Sequence, residues 1–244
     1  MNIIKFLFFL LEGVSVIAAF YYTIKNPWEK SIKLLAYFLL FTFFTETIGF
    51  IPRIIYNQES LQHLKETLWY SNYWLFNPYL IISFSVYVFY FNLQLQSFHL
   101  KRILNIGVCI FVVTSIINLI FTDVFFVTYS AYTFFFGILL LFMSVSFYYY
   151  ELLISNRLLQ IKKSVPFYVS ISFLLFNLIC MPLWIFMNYY SNTRSPEFVV
   201  MYRYIFLTAN ILLYSTYSFA FIYCAQKKQL PELNENEMLN KREI

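Results

Sequence analysis

Charge is what this chain has least of. Asp, Glu, Lys and Arg make up 12% of its 244 residues, about half the ~25% usual in a soluble globular protein. With 61% hydrophobic residues besides, it cannot cover a water-facing surface. Histidine is scarcer still: only His63 and His99 are present, in loops predicted on opposite sides of a membrane. That excludes a zinc hydrolase with histidine ligands in its spans. It also leaves no Ser-His or Cys-His nucleophile pair within one leaflet. The 3 cysteines, Cys109, Cys180 and Cys224, lie in apolar runs without CxxC or metal-ligand spacing and read as buried thiols. The last apolar run, 200–225, has no lysine, which excludes a retinal Schiff base. No cofactor, no metal and no enzymatic activity are expected.

What is abundant is apolar mass, with 31 Phe and 22 Tyr. It falls in seven runs of about 20 residues, the length that crosses ~30 Å of hydrocarbon. The short alternating strands of a barrel are missing. The pattern predicts an all-α polytopic membrane protein, a seven-transmembrane helix bundle forming one domain over 1–226. Its spans lie near 3–24, 34–53, 70–94, 103–122, 125–150, 165–189 and 200–225. No cleavable leader is expected, because the first run is as long as a span and lacks a small-residue cleavage site. Residues 227–244 alternate acidic and basic side chains and read as a disordered cytoplasmic tail.

The connections set the expected orientation. Lys25, Lys30, Lys33, Lys101, Arg102, Arg157, Lys162, Lys163, Lys227 and Lys228 gather on one side. Lys5, Arg53, Lys65, Arg194 and Arg203 lie on the other. The positive-inside rule then puts the N-terminus outside and the C-terminus inside, in a cell inner (cytoplasmic) membrane. The net charge of +5 belongs to these juxtamembrane positions, so no nucleic-acid partner is expected; the lipid bilayer is. The connection 54–69 reads either as a short amphipathic helix on the interface, through Leu61, Leu64 and Leu68, or as an extension of span 3.

The stretch Thr42-Phe43-Phe44-Thr45-Glu46-Thr47-Ile48-Gly49-Phe50-Ile51-Pro52-Arg53 is the most informative. It puts a carboxylate inside the bilayer, where a charge costs at least ~2.5–3.5 kcal/mol. At 1.5 Å per residue, Glu12 lies ~13 Å and Glu46 ~10 Å below the same outer surface. Asn77 enters that zone from span 3, Asn210 lies deeper in span 7, and Arg203 is nearer the mouth. Glu46, Phe50 and Arg53 share a face by their spacing. One reading is an outward-facing polar pocket, in which Glu12 and Glu46 share a proton or bind a cation while Arg53 or Arg203 neutralises the site. The other is that each glutamate is protonated, or tied to nearby Thr or Tyr groups, and only locks helix packing. Pro182 in span 6 reads as a hinge or as one more membrane proline. Glu151, near Arg157, reads as an interfacial ion pair or as a contact for a cytoplasmic partner. Phe38-Leu39-Leu40-Phe41 and Phe173-Leu174-Leu175-Phe176 echo each other. So do Asn77 with Gln94 and Asn210 with Gln226. A 3+1+3 plan of parallel repeats or chance accounts for both.

Three short motifs resemble a family of uncharacterised seven-span membrane proteins of Bacteroidota. They are Phe44-Thr45-Glu46-Thr47-Ile48-Gly49, Tyr149-Tyr150-Glu151-Leu152-Leu153 and Lys163-Ser164-Val165-Pro166-Phe167-Tyr168. Tyr168 stands where that family tends to have Trp, and a glycine usual a little further on is missing. The resemblance implies an association with membrane sensor kinases and hence a sensory accessory role. Three functions follow as expectations: a non-catalytic sensor or accessory protein binding a small-molecule ligand and a signalling partner, a small-solute or proton-coupled transporter, or a structural subunit of a membrane complex.

Overall fold

The computed structural model describes residues 3–155, 161–186 and 196–227. Among them there are helices and turns and no strand. The helices are α1 (Ile3–Lys25), α2 (Lys30–Ile48), α3 (Ile51–Asn57), α4 (Tyr73–Asn92), α5 (Phe98–Phe121), α6 (Val124–Val127), α7 (Ala131–Ile154), α8 (Val165–Ile185) and α9 (Pro196–Lys227). Seven segments are long and apolar enough to cross a membrane, with α2 and α3 together making the second. The chain is an all-α polytopic membrane protein.

Six spans close a ring in chain order. α1 packs on α2, α2 on α4, α4 on α7, α7 on α8, α8 on α9, and α9 returns to α1. The remaining span, α5, lies outside against α4 and α7 and is the least buried of the seven. Its Ile103, Ile106, Ile110, Val113, Ile117 and Ile120 are exposed, an apolar stripe that no described residue covers and that suits contact with lipid. The ring's middle is aromatic. Tyr87 stacks on Phe173 at 3.5 Å between ring centroids and meets the edge of Phe38 at 5.5 Å. The leading rings of the two similar Phe-Leu-Leu-Phe stretches thus meet on one tyrosine. The Tyr87 hydroxyl also shares a 2.8 Å hydrogen bond with that of Tyr217, tying α4 to α9 across the ring.

Two glycines allow close approach. A Cβ on Gly49 would stand 2.7 Å from the Phe76 ring, and one on Gly137 would fall within the Phe84 ring itself. Phe84 is held in place by edge-on contacts with Phe111 and Phe134. Gly137→Ala should therefore cost about 1–3 kcal/mol by overpacking the α4–α7 contact. A lower melting temperature in detergent checks this; an unchanged one would mean that the two helices separate freely.

The ends of the elements differ from expectation in several places. Span 2 stops at Ile48 rather than running straight to Arg53. Pro52 opens α3, where its missing N–H is harmless. The 54–69 connection is a short helical segment rather than an extension of span 3, with Leu61 and Leu64 less exposed than His63, Lys65 and Glu66. After α3 it forms 3-10 turns over Glu59–Glu66 and Leu68–Tyr70. Span 5 begins at Ala131, because Val124–Val127 makes a separate short helix. Pro182 lies in the last turn of α8, which ends at Ile185, and its carbonyl accepts the Phe186 N–H at 3.0 Å. The tail 228–244, the turn 187–195 and Arg157 lie outside the described residues.

Candidate functional site

A cavity of about 670 Å³ enters the ring from the end that carries the 49–72 connection. Its floor is Ser83, Phe84, Tyr87 and Phe173, where the Tyr87–Tyr217 bond closes the ring. Most of its wall is aromatic, including Phe50, Phe76, Tyr79, Tyr129, Phe134 and Trp184. The Trp184 ring is fixed by stacking on Phe134 at 4.1 Å.

Polar groups interrupt this wall at few points. Glu46, in the last turns of α2, lines the cavity half-buried. Among the described residues its carboxyl has no hydrogen-bond or ion-pair partner. Arg53 from α3 and Arg203 from α9 line the mouth, both exposed and both likewise unpaired among the described residues. Asn210 donates from Nδ2 to the Phe206 carbonyl at 2.7 Å, and Asn177 does the same to Phe173 at 2.8 Å. Each amide keeps its carbonyl oxygen for the cavity that both residues line. Thr42 and Tyr79 share a 3.1 Å hydroxyl–hydroxyl bond on the same wall.

Glu12 does not reach the cavity. It is fully buried behind Tyr214, whose hydroxyl donates to Glu12 Oε1 at 3.2 Å; Oε2 has no partner. Tyr214 itself lines the cavity. Glu12 and Glu46 are still within electrostatic range of each other, and Tyr79 and Tyr214 are each in range of both. The two carboxyls form one electrostatic unit, with only one of them open to a ligand.

Two expected site residues do other work. Asn77 is fully buried and turns toward the connection between α5 and α7. Its Nδ2 donates to the carbonyls of Val124 at 3.3 Å, Phe125 at 3.3 Å and Thr128 at 2.9 Å. Its Oδ1 accepts from the Ser130 backbone N–H at 2.8 Å. Both ends of the amide are engaged by the chain itself, and Asn77 does not line the cavity. Glu151, read as an ion pair with Arg157 (which lies outside the described residues) or as a partner contact, is buried. It accepts from the backbone N–H groups of Gln96 at 2.6 Å and Ser97 at 2.7 Å, holding the connection between α4 and α5. A carboxylate used in this way faces its own chain.

Some site residues escaped the sequence reading. Asn177 carried the same signal as Asn210, an amide inside an apolar run, and could have been found by it. Tyr79, Tyr214 and Trp184 carried none, because one aromatic among so many does not announce which way it faces. No cluster of three or more His, Cys, Asp or Glu side chains able to hold a metal ion occurs among the described residues.

Fold and cavity together define a seven-helix polytopic membrane protein with an aromatic pocket, open at one end and lined by one carboxyl and two guanidinium groups. No protein-family model, no curated protein and no solved structure matches the chain.

Proposed function

We propose that the protein is a non-catalytic sensor or accessory membrane protein that binds a small molecule in this cavity and couples to a membrane partner, such as a sensor kinase. The observation that carries the reading is Glu46, a carboxyl held inside the bilayer's thickness with no hydrogen-bond or ion-pair partner among the described residues. Such a group costs free energy unless it serves a purpose. The positive-inside rule turns the cavity mouth outward and the lysine-rich connections toward the cytoplasm, in keeping with an inner-membrane location. The floor at Tyr87 and Tyr217 closes the pocket from the other face, which suits binding without passage. The three motifs resembling the Bacteroidota family point to the same accessory role.

Transport is the second reading, and one observation favours it. Beneath the floor, Tyr90 carries a buried hydroxyl without a partner, and the Tyr22 hydroxyl donates to the Glu29 carboxylate at 3.1 Å. Polar groups therefore continue toward the far end of the bundle, and a carrier would open the floor onto them.

Purification from native membranes, with mass spectrometry of bound proteins and small molecules, tests the proposal. Glu46→Gln should leave folding stability within about 0.5 kcal/mol of wild type, as expected where no fold contact is lost. It should nevertheless strip the bound molecule. A stoichiometric signalling partner supports the sensor; uptake into vesicles that Glu46→Gln abolishes supports the carrier. A bound molecule retained equally by both proteins would sink the pocket reading.

A further inference from the structure

The cavity separates its charges along its depth. At the mouth stand two guanidinium groups, Arg53 and Arg203, unpaired among the described residues. Further in, the carboxyl and amide groups left for a ligand are acceptors, the Glu46 carboxyl and the amide oxygens of Asn177 and Asn210, beside the Ser83 hydroxyl and the Trp184 indole N–H. The hydroxyls of Thr42 and Tyr79 are already spent on each other. Glu46 stands in the last turn of α2 and Arg53 in the first turn of α3, so the two charges lie on either side of the junction between these helices. Between the two zones the wall is aromatic, and ring faces attract a cation as a carboxylate does.

We infer that the ligand is a zwitterion with an apolar body, its ammonium group seated inward at Glu46 and its carboxylate or phosphate outward at Arg53 and Arg203. This rests on the pocket reading above and names the chemistry of its occupant. An anion alone would leave the inner acceptors and Glu46 without a donor. A cation alone would pass two guanidinium groups and leave them unanswered. A neutral apolar molecule would strand all three charges. A molecule carrying both signs, spaced by a few bonds, answers the carboxyl and both guanidinium groups at once. A hydrophobic dipeptide has this chemistry, and so does the headgroup of an ethanolamine phospholipid.

The test places the full-length protein in phosphatidylglycerol nanodiscs and titrates it with Leu-Leu, N-acetyl-Leu-Leu and Leu-Leu-amide by calorimetry. The three probes share a body and differ only in their charges. Leu-Leu should bind at least about tenfold tighter than either capped form, since each cap removes a charge-assisted hydrogen bond. In Glu46→Gln the advantage over N-acetyl-Leu-Leu should vanish while that over the amide survives. In Arg53→Gln/Arg203→Gln the pattern should reverse. If the lipid is the source, ethanolamine phospholipid should co-purify from mixed-lipid nanodiscs with wild type and not with Glu46→Gln, and should block Leu-Leu. Equal binding of all three probes overturns the zwitterion and leaves the pocket standing. Variants that weaken all three alike overturn it as well. If neither Leu-Leu nor the ethanolamine lipid binds in a Glu46-dependent way, the inference falls, and any molecule carried from native membranes then decides the pocket separately.

Discussion

Asn77→Ala should destabilise the folded bundle by about 2–4 kcal/mol, as expected when a buried amide with several hydrogen bonds is removed. The Phe125 and Thr128 carbonyls of the α6 turn depend on its Nδ2, which also lies within reach of the Val124 carbonyl that accepts the Thr128 N–H. The N–H of Ser130 at the start of α7 depends on the Asn77 Oδ1. A short helix leaves its last carbonyls unsatisfied unless something donates to them. Ser130, at the same corner, caps α7 by accepting the Thr133 N–H at 3.1 Å and donates to Asn118 at 2.9 Å. Removing Asn77 therefore loosens the whole junction between α5 and α7. Asn77→Asp is the sharper control. It keeps the acceptor for Ser130 but turns a carboxylate toward three carbonyls, and should be at least as damaging as alanine. Thermal unfolding in detergent reads both. A variant that unfolds normally yet loses ligand would place Asn77 back in the pocket.

Glu151→Ala should lose a comparable amount, roughly 2–4 kcal/mol, from two charge-assisted hydrogen bonds to backbone donors. The carboxylate reaches from the end of α7 to the Gln96 and Ser97 N–H groups, just ahead of α5. Ser97 is the N-cap of α5, so a negative charge there is also well placed against the helix dipole. Glu151→Gln keeps one acceptor but sets an amide N–H against a backbone N–H, and should fall between alanine and wild type. A partner-contact role makes the opposite forecast, with stability untouched and the partner lost. Measuring unfolding and co-purification on the same variant separates the two.

Both residues show where sequence reasoning reached its limit. Glu46, Asn77 and Asn210 were singled out because polar groups inside apolar runs are costly, and each does carry a specific arrangement. The sequence could not say toward which neighbour each one turns. Glu12 and Glu46 looked alike in depth and chemistry, yet Tyr214 seals one away while the other lines the cavity. Asn77 looked like a pocket group until both ends of its amide were seen to be engaged by the chain itself.

The sequence by itself determined the class of protein, the number of spans and the approximate place of each. Those properties are sums over local stretches: run length against bilayer thickness, and charge scarcity against the need to face water. Tertiary structure alone decided the ring of six spans with α5 outside, the cavity and its floor, and the division of polar groups between site and scaffold. That division depends on how each helix is rotated about its axis. Rotation is set by side-chain packing with partners far away in the chain, and apolar periodicity is too weak to fix it when lipid and core are equally greasy.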